Sequence, residues 1–369
     1  MRYDVAVFGG GPAGAATALS LKRLRPSLRV AILEASSYSA WRAGETLPPG
    51  CQGILQSLGC WERFLGERFL QSFGSRAAWG GEQPYDNEFL FSTHGDGWHL
   101  DRVRFDRMLS ECAQEDGADV LQDARLAGSQ WAEDRIWRLV IRRGGRHEEL
   151  EAGFVVDATG RSASFAVQQG ARRLIGDHLA GASVVFRFTR NNMPADTYTL
   201  VEAQEDGWWY SSMTPDSHAV AIWMSDADLV RGRGLHAAER WMEHLRRSRL
   251  TAARVALADP ETAPGIWAAQ SQRLSQSVGP GWLAAGDAAS TFDPLSSQGI
   301  LKALRSGKLA SFVAIDCLQG LTAAQARYER ILAAEYEQYH AAKTWFYGLE
   351  QRWPASPFWR RRQRVGRQP

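Results

Sequence analysis

Lysine is scarce in this chain of 369 residues. The only lysines are Lys22, Lys302, Lys308 and Lys343, although Lys and Arg together number 43 and the formal net charge is +2. Almost all positive charge is therefore carried by arginine. A net charge so close to zero gives no field over the whole molecule that would attract nucleic acid or acidic lipid.

Cysteines and long apolar runs are also few. The four cysteines, Cys51, Cys60, Cys112 and Cys317, form no Cys-x-x-Cys pair and have no paired histidine spacing, so we expect reduced packing cysteines and no metal site. No apolar run approaches the length of a membrane-spanning helix, and nothing resembles a signal peptide. We therefore expect a cytoplasmic protein that binds neither nucleic acid nor a membrane.

The first thirty-four residues carry the most informative pattern. An apolar run leads into Gly9-x-Gly11-x-x-Gly14, and a helical stretch and a second apolar run follow before Glu34. Gly9 allows a tight turn, Gly11 lets the backbone approach a pyrophosphate, and Gly14 lets helix and strand pack closely. Free N–H groups at the helix start face the phosphates. Glu34 lies where a carboxylate takes the ribose hydroxyls. The pattern predicts a dinucleotide-binding β–α–β unit.

Farther along the chain the apolar pattern changes. Residues 182–224 alternate between apolar and polar, which predicts an antiparallel sheet, whereas helical spacing predicts helices over 51–73 and 236–249 and from about 298 to 345. The prolines and glycines of residues 35–50 predict an irregular loop. A basic tail follows, and we expect its arginines to form a solvated chain end. They are Arg360, Arg361, Arg362, Arg364 and Arg367.

Four motifs follow one another along nearly the whole chain. They are Gly9 to Gly14 with Glu34, Arg102 before Phe105-Asp106, Asp157-Ala158-Thr159-Gly160-Arg161, and Gly286-Asp287 with Asp293 to Ile300. In this order they resemble the two-domain FAD-dependent monooxygenases of the para-hydroxybenzoate hydroxylase type. A closer resemblance is to a subgroup related to flavin-dependent tryptophan halogenases and to the flavoproteins that mature tryptophylquinone cofactors. It rests on Gly44 to Pro49, Gly207 to Ser211, Asp293 to Gly299, and the tail from Phe346 to Arg362.

The resemblance implies an α/β fold in which a Rossmann-like FAD-binding domain is interrupted by an antiparallel β-sheet substrate domain, with a C-terminal helical segment. We expect the FAD-binding domain at 1–74, 100–180 and 272–330, the substrate-covering sheet at 75–99 and 181–271, and the helical segment with its basic tail at 331–369. The implied cofactor-binding residues are Gly9, Gly11, Pro12, Ala13, Gly14, Glu34, Glu45, Thr46, Arg102, Gly160, Gly286, Asp287, Pro294, Gly299 and Ile300.

Several of these residues have a physical role that fits the resemblance. Arg102 would offer charge-assisted hydrogen bonds to the FAD pyrophosphate, and Asp287 would accept one from a ribityl hydroxyl. Gly299 and Ile300 at a helix start would place N–H groups near the pyrimidine side of the flavin. Asp157 has two interpretations: it touches the cofactor, or it braces the turn after its strand.

Halogenation is an alternative that the sequence argues against. Halogenases of this subgroup need a lysine beyond the Gly44-Glu45 loop to pass on the hypohalous acid, but no lysine lies between Lys22 and Lys302. They carry a glutamate where this chain has Ser296, and a Trp-x-Trp-x-Ile-Pro element where it has Trp208 to Met213. All three signatures are missing.

The sequence therefore favours an FAD-dependent monooxygenase that uses dioxygen to hydroxylate an electron-rich aromatic, most simply an indole. Electrons would come from NADH, NADPH or a separate flavin reductase, and no second dinucleotide motif is visible that would distinguish these donors. The candidate catalytic residues are Glu45, which would orient substrate or a proton or else cap backbone N–H groups, and His94 and His99 as bases. For the two histidines the competing interpretation, that they are surface residues, is favoured.

Trp208, Trp209 and Tyr210 are the candidate substrate-pocket residues. In a strand, Trp208 and Tyr210 share one face, which would stack an aromatic substrate, and core packing is the alternative for each. From the resemblance alone we hypothesise that the indole is a tryptophan side chain of a partner protein on its way to a quinone. Two rivals stay open: a flavin dehydrogenase or prenyl-chain reductase, and a non-catalytic quinoprotein chaperone with structural FAD.

Overall fold

The computed structural model describes residues 1–89, 92, 95–189 and 191–363. The candidate His94 and the tail residues Arg364 and Arg367 lie outside this part of the chain. The described strands are β1 (Arg2–Phe8), β2 (Val30–Leu33), β3 (Thr46–Leu47), β4 (Leu70–Ser72), β5 (Gly74–Ala78), β6 (Tyr85–Glu88), β7 (Gly97–His99), β8 (Asp119–Leu121), β9 (Arg125–Trp131), β10 (Trp137–Arg143), β11 (Arg146–Asp157), β12 (Arg173–Ile175), β13 (Leu179–Phe188), β14 (Thr199–Gln204), β15 (Gly207–Thr214), β16 (His218–Asp226), β17 (Ala258–Pro260), β18 (Gly265–Ala268), β19 (Gln272–Leu274), β20 (Val278–Gly279), β21 (Trp282–Ala284) and β22 (Ser290–Thr291). The described helices are α1 (Pro12–Leu24), α2 (Cys51–Ser57), α3 (Trp61–Gly66), α4 (Arg102–Glu115), α5 (Ser164–Gln168), α6 (Ala227–Gly232), α7 (Ala238–Leu245), α8 (Leu250–Val255), α9 (Gly299–Leu318), α10 (Ala323–Leu349) and α11 (Pro357–Gln363).

The predicted strand, glycine turn, helix and strand are present as β1, α1 and β2. β1 pairs in parallel with β2 on one side and with β11 on the other. The sheet runs in the order β20-β21-β11-β1-β2-β8, and β9 and β10 extend it antiparallel from β11. α1 packs tightly against α9, because a Cβ at Gly307 would lie 2.2 Å from the carbonyl oxygen of Ala13.

A second, mostly antiparallel sheet forms the other large layer, in the order β17-β13-β16-β15-β14-β5-β6 with β18 also paired to β13. β14 and β5 are the parallel pair in it. One face packs on the helices α7 and α8 around Trp209 and Trp241. The opposite face packs Trp208 and Tyr210 with residues of α10 and α11, including Tyr347. The predicted α/β fold with an added antiparallel sheet and C-terminal helices is confirmed, and the exact domain boundaries stay a prediction.

The expectation of a solvated basic tail is wrong for Arg362. Arg362 is only 7% exposed, and its guanidinium donates to Asp226 at 2.7 Å and lies 3.6 Å from the centre of the Phe358 ring. Arg361 pairs with Asp226 and Asp228, both at 2.7 Å. These ion pairs attach α11 to the end of β16 and the start of α6, because the charges of the arginines compensate those of Asp226 and Asp228.

Two predictions of local structure also need correction, and one strand was missed. Residues 51–73 form two short helices and a strand instead of one helix, because Gly59 adopts φ +67° and ends the first helix. The helix predicted over 236–249 ends at Leu245, and α8 begins separately at Leu250. Strand β9 was not predicted. In the described part of the chain, no helix combines the length and apolar character needed to cross a membrane.

Candidate active site

The glycine turn after β1 is shaped to admit a phosphate group. Gly9 has φ +101°, and a Cβ there would lie 2.2 Å from the carbonyl oxygen of Ala158. A Cβ at Gly14 would lie 1.8 Å from the carbonyl oxygen of Gly9, so neither position accepts a side chain. Gly11 differs, because a Cβ added there would meet only an Asp106 carboxylate oxygen, at 4.0 Å. The turn is therefore open above Gly11, at the N-terminus of α1, where no side chain caps the N–H groups.

A cluster of acids and guanidinium groups borders this open side. Glu34 accepts the N–H of Gly10 at 2.7 Å and a hydrogen bond from Arg42 at 3.2 Å. Arg42 also donates to Asp106 at 3.0 Å, and Arg102 donates to the same carboxylate at 3.2 Å. Two cations thus lie beside the turn. Arg42 was missed in the sequence, because it lies in an irregular loop with no motif around it.

The last of the four motifs, Gly286-Asp287 with Asp293 to Ile300, follows β21 and is called the second flavin motif below. Gly286 and Asp287 begin a 3₁₀ turn, and Asp287 accepts from the amine of Lys302 at 2.8 Å. Lys302 is 2% exposed and also donates to the Ser290 carbonyl oxygen. Burial raises the pKa of the Asp287 carboxyl, but the charges of Lys302 and Arg161 outweigh it, so the net pKa lies below the ordinary value and Asp287 is ionised. The sequence analysis did not single out Lys302 as a site residue. The available signal was that lysine is rare in this chain and that Lys302 closely follows the Gly286-Asp287 motif.

The remaining motif residues frame the same end of the first sheet. Gly160 begins a 3₁₀ turn at φ +66°, where a Cβ would meet nothing within 4 Å, and Gly299 starts α9 with the same open space. Pro294 begins a 3₁₀ turn, and Ile300 is buried in α9. Asp157 is fully buried and accepts from Thr159 and from the N–H of Ala166. These bonds support its turn-bracing interpretation.

Glu45 is the most unusual acid of the candidate site. It is 3% exposed, and neither of its carboxyl oxygens has a hydrogen-bond partner among the described residues. Burial raises the pKa of Glu45 to about 7, against the opposing charge of Arg102. Arg102 holds the loop in place by donating to the carbonyl oxygens of Ala43 and Gly44, at 2.9 and 3.3 Å. A carboxyl group with this pKa can hold or release a proton near neutral pH.

A chain of hydrogen bonds begins at the next residue. The Thr46 hydroxyl lies 2.7 Å from the Tyr210 hydroxyl, 3.1 Å from the Thr199 hydroxyl and 3.4 Å from His99 Nδ1. His99 Nε2 lies 2.6 Å from the Thr197 carbonyl oxygen, which only accepts, so Nε2 carries the hydrogen. Nδ1 of the neutral ring therefore accepts from Thr46.

The expectation that His99 is a surface histidine is wrong. Its side chain is 0% exposed, and burial, together with the charge of Arg254, lowers its pKa to about 4. The ring is consequently neutral at physiological pH. A neutral His99 orients the Thr46 hydroxyl, and through it the Tyr210 hydroxyl.

The three aromatic candidates on β15 lie in different places. Trp208 is 0% exposed, and its indole N–H donates to the Tyr347 hydroxyl at 3.0 Å. Trp209 faces the opposite side of the sheet and packs on Trp241 with ring centroids 5.3 Å apart. Trp208 and Trp209 therefore pack in cores. Tyr210 shares the face of Trp208, as predicted, and is the one that reaches the Glu45-Thr46 loop.

The long helix α10 braces the loop of the second flavin motif. Asp293 is 1% exposed, accepts from the Tyr347 hydroxyl at 2.9 Å, and donates its backbone N–H to the Tyr339 hydroxyl at 2.8 Å. Burial raises the pKa of Asp293, and the charge of Lys343, 4.0 Å away, opposes this. The brace joins β15, α10 and the loop, since Tyr347 also holds Trp208.

The residues present fit FAD. The glycine turn is open where a pyrophosphate would lie, two uncapped helix N-termini point N–H groups at the site, and two guanidinium groups border it. The fold and this set of donors define an FAD-dependent oxidoreductase. The role of each predicted cofactor-binding residue stays a prediction.

Comparison with known proteins gives the family. Residues 81–368 match the tryptophan halogenase family, so the chain belongs to it. The putative FAD-dependent oxidoreductase LodB of Marinomonas mediterranea is 30% identical, over 98% of this chain and 96% of LodB. This supports the broader superfamily of FAD-dependent halogenases and oxidoreductases, whereas the resemblance to para-hydroxybenzoate hydroxylase stays a prediction.

Two solved structures are similar in fold and sequence. The flavin-dependent halogenase CmlS superposes with a TM-score of 0.87 at 26% identity, over 98% of this chain and 68% of CmlS. QhpG, a peptidyl tryptophan dihydroxylase essential for tryptophylquinone cofactor biogenesis, superposes with a TM-score of 0.79 at 26% identity, over 98% of this chain and 79% of QhpG.

Proposed function

We propose that this chain is an FAD-dependent monooxygenase that hydroxylates an indole, and that the indole is the side chain of a tryptophan in a partner protein. Its family contains enzymes of electrophilic aromatic chemistry, and the similar structures include a peptidyl tryptophan dihydroxylase. The likeness to LodB extends over nearly the full length of both chains.

The observation that carries the proposal is the placement of the lysines. Each of the four lysine amines has a partner away from Glu45 and Tyr210. These partners are the carbonyl oxygens of Pro26 and Leu28 for Lys22, Asp287 and the Ser290 carbonyl for Lys302, Ser57 for Lys308, and Asp177 and Ser271 for Lys343. The amine that a halogenase uses to pass on hypohalous acid has no counterpart beside the Glu45 loop, which favours oxygen transfer.

The residues of this chain have distinct tasks in the proposed reaction. Bound reduced FAD supplies the activation of dioxygen. Glu45, with a pKa of about 7, accepts the proton that the hydroxylated indole releases, or holds the indole N–H while protonation states change. Thr46 and His99 orient the Tyr210 hydroxyl, which offers the substrate a hydrogen-bonding group beside the Glu45-Thr46 loop. Burial of these groups excludes water from the reacting atoms.

One turnover experiment tests the proposal. FAD-loaded protein, a flavin reductant, dioxygen and bromide are supplied with free tryptophan or with a tryptophan-bearing peptide, and the products are weighed intact. We expect the peptide to gain oxygen. We expect the Glu45→Gln variant to lose most of that activity and to lose the pH dependence near pH 7, whereas Glu239→Gln, at an exposed position on α7, keeps both.

Halogenation is the second candidate, favoured by the family and by the similar halogenases. Gain of bromine on either substrate would replace our proposal with it. Gain of oxygen on free tryptophan alone would retain the monooxygenase and reject the protein-bound substrate. Flavin reoxidation with no change in either substrate would reject both and favour the reductase or chaperone alternatives.

A further inference from the structure

An open groove lies beside a three-stranded sheet that none of the roles above uses. The sheet has the order β12-β19-β22, so β12 is an edge strand. The groove has a volume of about 440 Å³ and is lined by Val167, Ala171, Arg172, Arg173, Ile175, Gln270 and Gln272. It is wide enough for a few residues of an extended chain.

The free edge of β12 borders this groove, because Arg173 and Ile175 of that strand line it. β12 pairs antiparallel with β19, with Leu174 opposite Arg273. The bonds from Ser275 N–H to the Arg172 carbonyl oxygen and from Gly176 N–H to the Ser271 carbonyl oxygen fix the phase of the ladder. Because antiparallel pairs alternate, the N–H and C=O groups of the two residues flanking Leu174 point away from β19. An added strand would bond to these groups.

The charge and apolar character of the lining indicate the kind of strand. Arg172 and Arg173 are exposed, and neither forms an ion pair within the described part of the chain. Of the described residues that line the groove, none is acidic. Val167 and Ile175 are 37% and 55% exposed, so the groove offers apolar surface as well as the two cations. An extended segment that alternates acidic and aliphatic side chains complements this surface.

The groove is connected to the flavin end of the fold. Its residue Gln272 donates to the Arg161 carbonyl oxygen at 2.8 Å, and the Arg161 guanidinium donates to the Gln270 carbonyl oxygen at 2.7 Å. The charge of Arg161 in turn acts on Asp287. A strand added to β12 would lie three strand spacings, about 15 Å, from β22. Five extended residues span about that distance.

We propose that this groove binds an extended acidic segment of the partner protein, which adds as a strand to the free edge of β12 and places the neighbouring tryptophan near the flavin. This inference rests on the proposed function for its partner. The docking itself needs no turnover, so it is tested by binding alone.

The test uses FAD-loaded protein and a fluorescein-labelled twelve-residue peptide of alternating glutamate and valine, with fluorescence anisotropy as the readout. We expect the peptide to bind and its lysine–valine counterpart not to bind. The double variant R172E/R173E should weaken binding about tenfold, because two attractive contacts become repulsive. The matched control R142E/R146E reverses two exposed arginines on the β10–β11 hairpin and should leave binding unchanged.

A backbone variant tests strand addition separately from charge. Ile175→Pro removes an N–H that points away from β19, so the sheet keeps its own ladder while the added strand loses a donor. We expect it to weaken peptide binding with FAD content unchanged, whereas Ile175→Val should bind normally. The proposal is overturned if the glutamate peptide does not bind, if R172E/R173E binds it as the control does, or if NADPH displaces it, since displacement would make the groove a dinucleotide site. A failed oxygen-transfer assay with successful peptide binding would reject the proposed function and leave the docking site standing.

Discussion

Replacing Tyr347 with phenylalanine removes a single oxygen atom at which two buried groups meet. The hydroxyl accepts from the Trp208 indole N–H at 3.0 Å and donates to Asp293 at 2.9 Å. All three side chains are at most 1% exposed, so water does not replace the lost partner. A hydrogen bond to a charged acceptor contributes about 1.5–3 kcal/mol, and a buried unpaired donor costs about 1–3 kcal/mol. We therefore expect the free energy of unfolding to fall by about 2.5–6 kcal/mol.

Tyr328→Phe is the matched control. Tyr328 is 1% exposed, and its hydroxyl donates at 2.8 Å to a single neutral acceptor, the Ala284 carbonyl oxygen. Its loss should cost about 1 kcal/mol. The assay is urea unfolding of the FAD-loaded proteins, with the midpoint compared at constant slope. If Tyr347→Phe lowers the free energy of unfolding no more than Tyr328→Phe does, the Tyr347 hydroxyl does not stabilise both Trp208 and Asp293. The proposed connection between β15, α10 and the loop of Asp293 is then refuted.

Two further predictions concern the candidate site itself. Gly14→Ala should abolish FAD retention through purification, because its Cβ would lie 1.8 Å from a backbone oxygen of the glycine turn, whereas Gly53→Ala, which meets nothing within 4 Å in α2, should retain FAD. Glu45→Gln should stabilise the FAD-free protein at pH 8 by up to ~3 kcal/mol and have almost no effect at about pH 3.5, measured by urea unfolding at each pH.

The sign of the Glu45 prediction follows from its raised pKa. Below the ordinary value of 4.5 the carboxyl is protonated in the folded and unfolded protein, so the glutamine changes nothing electrostatic. Between 4.5 and about 7 only the unfolded state ionises, and the folded state loses relative stability as the pH rises. Equal destabilisation of Glu45→Gln at both pH values would contradict the burial argument. FAD retained at wild-type levels by Gly14→Ala would contradict the close packing of the glycine turn.

The flavin-binding half of the fold was predictable because its signals are local. In the opening unit, two apolar runs and the three glycines of the motif lie within about thirty residues, and only glycine fits the contacts at Gly9 and Gly14. The alternation that predicted the second sheet is equally local. The period of the apolar residues and the turn residues at the ends are sufficient to predict strands and helices of this kind.

The candidate site was predictable only in part, because its contacts join distant segments. Thr46, His99 and Tyr210 come from three separate strands, and no periodicity indicates that they meet. The burial of Glu45 likewise depends on how a loop folds over the second sheet. For Arg362 the sequence pattern was misleading, since a run of arginines is usually solvated, and only the tertiary position of Asp226 reverses that expectation.

The brace on Asp293 has a consequence for the order in which the protein matures. Its partners Tyr339, Lys343 and Tyr347 are translated some fifty residues after the loop they hold, as the separations of 46 and 54 residues in the two hydrogen bonds indicate. A growing chain that carries the complete glycine turn and both flavin motifs thus still lacks the support of the second motif. We therefore expect tight FAD binding only after α10 has been synthesised. FAD would then bind late in the maturation of the protein, and it would not nucleate folding of the growing chain.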